Sequence, residues 1–176
     1  GELQTGYEVI FVDDASTDGS FAFLQDAALR NPRIRGIRFS KNRGQQTALA
    51  AGLELVEGDV VIMMDGDLQH PPELISEMLA HWSQGFDIVN TQKQGSVRGS
   101  WWRDGLSRAF YAIFNSISDE LRLGPSCSDF RLLDQKCVRA LNRCGERLKF
   151  YRGLVEYIGF RQTVLFFTPP PRHAGN

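Results

Sequence analysis

No apolar run in this 176-residue chain approaches the ~18 residues that a membrane-spanning helix needs. The first residues do not read as a secretory leader either. Cysteine is scarce: Cys127, Cys137 and Cys144 are an odd number with no CxxC pair. That excludes a disulfide frame or a cysteine zinc site and predicts reduced thiols in a cytoplasmic setting. Charge of either sign is not in excess, with 20 Lys and Arg against 21 Asp and Glu for a net −1. There is then no bulk electrostatic case for nucleic acid or an anionic membrane, and any anion site must come from local arrangement. Repeats, low-complexity tracts, linkers and the P-loop pattern are also missing.

What remains is an ordinary globular composition, 42% hydrophobic and 23% charged, long enough to bury a core in one domain. Tyr7 to Val12 and Asp59 to Met64 are apolar, β-branched-rich runs that predict buried strands, and both end in acids. Further strands are expected near 34–39, 86–91, 129–133 and 160–167. Ser16, Thr17 and Asp18 offer N-caps for a helix running to about Arg30, closed by Asn31-Pro32. Helical spacing recurs in Ala48, Gly52, Leu55 and Val56, and in Leu74, Ile75, Met78, Leu79 and Trp82 behind Pro71-Pro72. It appears again in Trp102, Leu106, Ala109, Phe110, Ile113 and Ile117, with shorter helices near 135–144 and 151–159. Alternating strand and helix predicts an α/β fold, a mostly parallel sheet flanked by helices, with ligands at the carboxyl ends of its strands.

Two strand ends therefore carry the chemistry. In Asp65-Gly66-Asp67-Leu68-Gln69, two carboxylates flank one small residue. With the Gln69 amide and phosphate oxygens they suit octahedral Mg²⁺ or Mn²⁺. The competing reading is an Asx-turn leading into the next helix. Asp13-Asp14-Ala15-Ser16-Thr17-Asp18 offers five polar side chains where a cap needs one, leaving room for a carboxylate to meet a nucleobase or ribose. Ser40 to Thr47 sets basic side chains and Gly44 before a helix N-terminus, either an anion-friendly place or a solvated loop. Lys93, Arg98, Arg103 and Arg108, beside Trp101 and Trp102, read as an exposed basic face or as a clamp for an acceptor phosphate at a membrane interface.

Four segments in order, Val12-Asp13-Asp14-x-Ser16-x-Asp18-Gly19, Ser40-x-Asn42-x-Gly44, Met64-Asp65-Gly66-Asp67-Leu68-Gln69-x-Pro71-Pro72-Glu73 and Ser128-Asp129-Phe130-Arg131-Leu132, resemble the family 2 glycosyltransferases of the GT-A fold. Within these the chain is similar to the polyprenyl-phosphate, dolichol-phosphate-mannose-synthase-like sugar transferases. The resemblance implies one catalytic domain over 1–176. Asp13, Asp14, Asn42, Gly44, Asp65 and Asp67 would bind the sugar nucleotide, and Asp65, Asp67 and Gln69 the Mg²⁺ or Mn²⁺. Asp129 would be a base or orienting carboxylate, with Asp67 also catalytic. Arg98, Arg103, Arg108 and Arg131 would meet a polyprenyl phosphate. Family members open with a Pro-x-x-Asn-Glu-type strand and many continue into membrane helices, so this chain is expected to be a fragment lacking both. Its full-length parent would sit at the cytoplasmic face of the cell membrane. Ser128 stands where relatives often have Gly.

The implied reaction is an inverting transfer of a hexose from a nucleoside-diphosphate sugar. Rival expectations are a saccharide or protein hydroxyl as acceptor, a truncated binding domain without activity, and a receiver-like signalling module built on Asp13-Asp14. The last has no use for the helical, basic region beyond Gly95.

Overall fold

The computed structural model describes residues 6–94, 127–144 and 151–169. The long helix expected over 102–117, with Trp101, Trp102, Arg98, Arg103 and Arg108, lies outside the described residues. The chain divides into two compact units, one drawn from Gly1–Asp59 and Asn142–Lys149, the other from Val60–Leu141 and Phe150–Asn176.

The first unit is a β-α-β crossover followed by a second helix. Strand β1 (Val9–Asp13) pairs in parallel with β2 (Ile34–Arg38), from Val9 opposite Ile34 to Asp13 opposite Arg38, across helix α1 (Ser20–Arg30). A parallel pair requires such a crossover. α1 starts later than the Ser16-Thr17-Asp18 pattern suggests. Gly19 occupies the cap position without a side-chain bond, while Asp18 Oδ1 accepts the Ser20 N–H at 2.9 Å. A bond from the Ser20 hydroxyl, and after it this backbone bond, holds the Asp18 carboxyl below its usual range. At the other end Asn31 closes α1 through its N–H on the Ala27 carbonyl, and Pro32 prevents continuation. Helix α2 (Gln45–Leu55) lies close to β1. A Cβ at Gly52 would stand at an ordinary contact distance of 3.5 Å from Val12 Cγ2, so the approach leaves room for a methyl group there.

The second unit holds a four-stranded sheet in the order β3-β5-β4-β6. Its strands are β3 (Val60–Met63), β4 (Ile88–Lys93), β5 (Cys127–Asp134) and β6 (Gln162–Phe167). β4 and β6 run parallel, whereas β5 lies antiparallel between β3 and β4. Apolar periodicity reports burial and not strand direction, so the reversed β5 is invisible in the alternation of elements. Helix α3 (Leu74–Ser83) covers one face of this sheet, where Met78, Val89, Phe130, Leu132, Leu165 and Phe167 form a buried cluster. Helices α4 (Gln135–Arg143) and α5 (Tyr151–Tyr157) complete the described elements and bury Cys137, Val138, Leu141, Tyr151, Leu154 and Val155. Asp134 joins two of these layers. Its Oδ1 accepts the Lys136 N–H at the start of α4, and its Oδ2 accepts the Trp82 indole N–H at 2.8 Å.

Candidate active site

β3 delivers Met63 into the core and then must turn, because two acids cannot follow it inward. The turn is built by its own polar groups. Asp67 Oδ1 accepts the Gln69 N–H at 3.0 Å, an Asx-turn, and Leu68 takes the left-handed conformation at φ 61°. The structure shows the Asx-turn reading of the motif; a carboxylate has two oxygens, so this turn does not preclude a cation contact at Asp67. Asp67 is exposed and the Asp65 side chain is 37% exposed. Behind them, 3% exposed, lies His70, whose Nδ1 accepts the Asp65 backbone N–H at 3.0 Å. An amide can only donate, so Nδ1 is unprotonated and the proton sits on Nε2. That nitrogen is 3.0 Å from Ser128 Oγ and 3.8 Å from Asp65 Oδ2.

The His70 ring stacks on Phe130 with centroids 4.9 Å apart and meets Phe167 edge-on. Burial is the main cause holding its pKa below the ordinary range. Lys93 acts in the same direction, against the nearby carboxylates of Asp65, Asp67 and Asp129. The charges converging on this one ring are those of the acidic turn and of the neighbouring strands.

β5 brings in the second set. Alternation along a strand turns Phe130 and Leu132 to the core cluster and leaves Asp129 and Arg131 on the opposite face. Asp129 is 4% and Arg131 1% exposed, so each charge needs internal company. Arg131 Nη2 donates to the Ser128 carbonyl at 3.1 Å and lies 3.9 Å from Asp129 Oδ1. The antiparallel register sets Met63 opposite Arg131. Beyond that pair β5 continues toward the acidic turn, and Asp129 and Asp65 both act electrostatically on His70. From β4, Lys93 Nζ donates to Gln69 Oε1 at 3.2 Å. The amide oxygen expected to face a metal is thus engaged by an ammonium. Among the described residues no group of three or more His, Cys, Asp or Glu is arranged to hold a metal. Two hard carboxylates without a third protein ligand still suit Mg²⁺ or Mn²⁺, which fill their octahedron from substrate phosphates and water.

In the first unit Asp13 and Asp14 serve the loop. Asp13 is buried, with Oδ1 on the Ser16 N–H at 3.1 Å and Oδ2 3.4 Å from Arg38 Nε. Arg38 also donates to the Ser16 carbonyl and lies over the Phe21 ring. Asp14 accepts two backbone N–H groups, from Arg43 at 2.6 Å and Gly44 at 2.8 Å. The anion-friendly start of α2 is therefore occupied by a carboxylate of the chain itself. Gly44, at φ 87° and ψ 156°, takes a backbone shape open essentially to glycine, and Asn42 is exposed in the same loop. Ala15, Ser16, Thr17, Arg38, Phe39 and Ser40 line an open depression of about 570 Å³.

Asp65, Asp67, Gln69, Asp129 and Arg131 all belong to the second unit, around His70; Asp13, Asp14, Asn42 and Gly44 belong to the first. Arg131 is enclosed beside Asp129, a setting that fits an internal counter-ion better than a surface phosphate ligand. His70 and the Lys93–Gln69 contact carry no signal in the sequence, since neither lies at a spacing that marks a site.

The family model for glycosyl transferase family 2 matches residues 3–141. The chain belongs to glycosyltransferase family 2. It is 36% identical over 173 residues to an uncharacterized glycosyltransferase of Synechocystis, covering 98% of this chain and 54% of that protein. It is 29% identical over 168 residues to the bactoprenol glucosyl transferase of Shigella phage SfV, covering 96% and 54%. The family 2 chain thus spans about half the length of the curated relatives it matches. Among solved structures, TarS 1–349 of S. aureus superposes with a TM-score of 0.59 at 18% identity, over 92% of this chain and 51% of that one. Glucosyl-3-phosphoglycerate synthase of Mycobacterium tuberculosis, in complex with Mn²⁺, UDP and glucosyl-3-phosphoglycerate, gives 0.54 at 19%, over 96% and 62%. These neighbours give the family 2 chain a GT-A-type fold. Among the described residues no helix is long and apolar enough to cross a membrane.

Proposed function

We propose that this family 2 domain transfers a hexosyl group, with inversion, from a nucleoside-diphosphate sugar to a polyprenyl phosphate at a membrane surface. The observation that carries the reading is the convergence of Asp65, Asp67 and Asp129 on the buried His70 at the carboxyl end of β3. The bactoprenol glucosyl transferase of phage SfV supports the acceptor class. The Mn²⁺ and UDP of the mycobacterial synthase structure support a metal–diphosphate donor site.

Asp65 and Asp67 would hold Mg²⁺ or Mn²⁺ with the donor diphosphate, and Gln69 would join them once Lys93 yields its oxygen. When bound, the cation offsets the charge that builds on the leaving diphosphate. Lys93, released from Gln69, adds a point charge on the same side. The acceptor phosphate oxygen attacks the anomeric carbon in line, a carbon–oxygen bond to the diphosphate breaks, and the nucleoside diphosphate leaves. With a second phosphate pKa near ~6, the acceptor is already ionised at neutral pH and gives up no proton. Asp129 then orients rather than abstracts, with Arg131 as its counter-ion. Arg98, Arg103 and Arg108 remain the candidates for the acceptor phosphate. Asp13, Asp14, Asn42 and Gly44 remain the candidates for the nucleoside. The full-length protein would work at the cytoplasmic face of the cell membrane.

Calorimetric titration with UDP and GDP, with and without Mn²⁺, tests the donor site, and radiolabelled donor offered to polyprenyl phosphate or to free saccharides tests the acceptor. Asp129→Asn should cost less turnover than Asp65→Ala or Asp67→Ala. Full activity in excess chelator would sink the metal role. An equal loss in Asp129→Asn, with transfer to saccharide hydroxyls, would make Asp129 a true base.

A further inference from the structure

We infer that His70 is a positioning residue, clamping the backbone of the metal-binding turn through Nδ1 and tying that turn to the Ser128–Asp129 strand through Nε2. The inference rests on the metal–diphosphate reading above. Four observations on the second unit carry it. Asp65 follows the last residue of β3 by two, so its N–H has left the sheet ladder. It is met instead by His70 Nδ1 at 3.0 Å, five residues along the chain. The opposite ring nitrogen lies 3.0 Å from Ser128 Oγ, which in turn accepts the Phe130 N–H at 3.2 Å. The ring plane is fixed by stacking on Phe130, 4.9 Å away and 13° from parallel, and by the edge contact to Phe167. Finally, the ring is 3% exposed, so neither nitrogen has ready recourse to water if its partner moves.

The consequence is mechanical. Holding its backbone fixes where the Asp65 Cα–Cβ bond points and so the set of positions its carboxylate can reach, and the holder is part of the wall that also carries Asp129. Leu68, in the left-handed conformation, stores strain in the same turn and would relax if the clamp opened. Groups that orient metal ligands from behind typically change metal affinity by about 10–100-fold when removed. The two nitrogens of His70 do different jobs, and two substitutions separate them. Asn places an amide oxygen near the position of Nδ1 and can still accept from Asp65, but it does not reach Ser128. Gln reaches toward Ser128 and offers nothing at the Nδ1 position.

The test is Mn²⁺ binding by the full-length protein in the presence of UDP or GDP, followed by the loss of the free-ion EPR signal, with turnover measured alongside. His70→Asn should keep Mn²⁺ affinity near that of wild type and lose turnover, whereas His70→Gln should weaken Mn²⁺ by about 10–100-fold. Equal affinities in wild type and both variants would overturn the inference while leaving the metal site standing. Equal losses in two folded variants would also overturn it, because ring packing alone would then be what matters. If wild type takes up no Mn²⁺ with either nucleotide, the metal–diphosphate reading falls and this inference falls with it. Hydrogen exchange gives a readout that needs no substitution. The Asp65 amide should be protected in wild type although it lies beyond the strand, and fast exchange there would overturn the clamp.

Discussion

Removing the Asp14 carboxylate should loosen the loop before α2 to a degree that its bonds allow one to calculate. Its two oxygens accept the Arg43 and Gly44 backbone N–H groups at 2.6 and 2.8 Å, short distances of the kind that bonds to a charged acceptor show. A bond to a charged group contributes about 1.5–3 kcal/mol. Arg43 is exposed and can turn to water, so its share falls to the low end, while half-buried Gly44 keeps most of its own. A carboxylate at a helix N-terminus adds about 0.3–1 kcal/mol. The helix-terminus effect arises from the partial charges of these same N–H groups, so the contributions overlap and do not add in full: Asp14→Ala should cost about 2–4 kcal/mol, and Asp14→Asn somewhat less, since one oxygen remains while the new NH₂ faces a donor. The direct assay is amide hydrogen exchange at Gly44. At 1.4 kcal/mol per factor of ten, protection should fall by about 30- to 700-fold in Asp14→Ala. Unchanged protection at Gly44, together with lost nucleotide binding, would refute the reasoning and make Asp14 a ligand group instead of a loop tie.

Gly44→Ala adds a Cβ with nothing within 4 Å, so its cost of about 1–3 kcal/mol should come from backbone strain alone, read as a lower urea midpoint. Gly52→Ala, with its Cβ at an ordinary 3.5 Å from Val12, should be neutral or gain up to about 1 kcal/mol in the same assay. Asp134→Ala, which loses both the Trp82 and the Lys136 bond, should destabilise more than Trp82→Phe, which loses one; the reverse order in thermal melts would show that the indole bond carries no weight. Burial pushes the Cys137 thiol up to about 12, so it should resist iodoacetamide at pH 8 until the chain unfolds. A pKa raised in the folded state stabilises fully below the unfolded value near 9 and is lost as pH climbs toward 12. The stability advantage of wild type over Cys137→Ala should shrink across that window, and a constant difference would contradict it.

Much of the architecture is legible in local pattern, because strands and helices are chosen by burial periodicity. Every expected strand among the described residues exists, shifted by a residue or two, and the Leu74–Trp82 stripe does face the core. The acids ending β1 and β3 stand out because charge rarely follows a buried run without reason. The start of α1 was displaced because Asp18 satisfies Ser20 by a turn bond and so delays the helix, a choice between two local bonds that composition does not rank. β5 illustrates a different limit: its apolar residues announce a strand, yet only pairing with β3 and β4 reveals that it runs backwards and carries Asp129 toward Asp65.

By itself the sequence determined which runs become strands and helices, where the chain must turn and that two carboxylates sit at the carboxyl end of β3, since these follow from hydrophobic spacing and from the cost of burying charge. It did not determine what ends up inside: Phe11 and Leu55, expected on packed faces, are 40% and 39% exposed, while Asp129 and Arg131 are buried. The tertiary structure decided what those carboxylates lean on. His70 gains its partners from Asp65, five residues away, and from Ser128, fifty-eight residues away. Gln69 meets Lys93 across twenty-four residues, and Asp14 reaches Gly44 across thirty. A hydrogen bond depends on distance and angle in space, and no spacing rule along the chain records either.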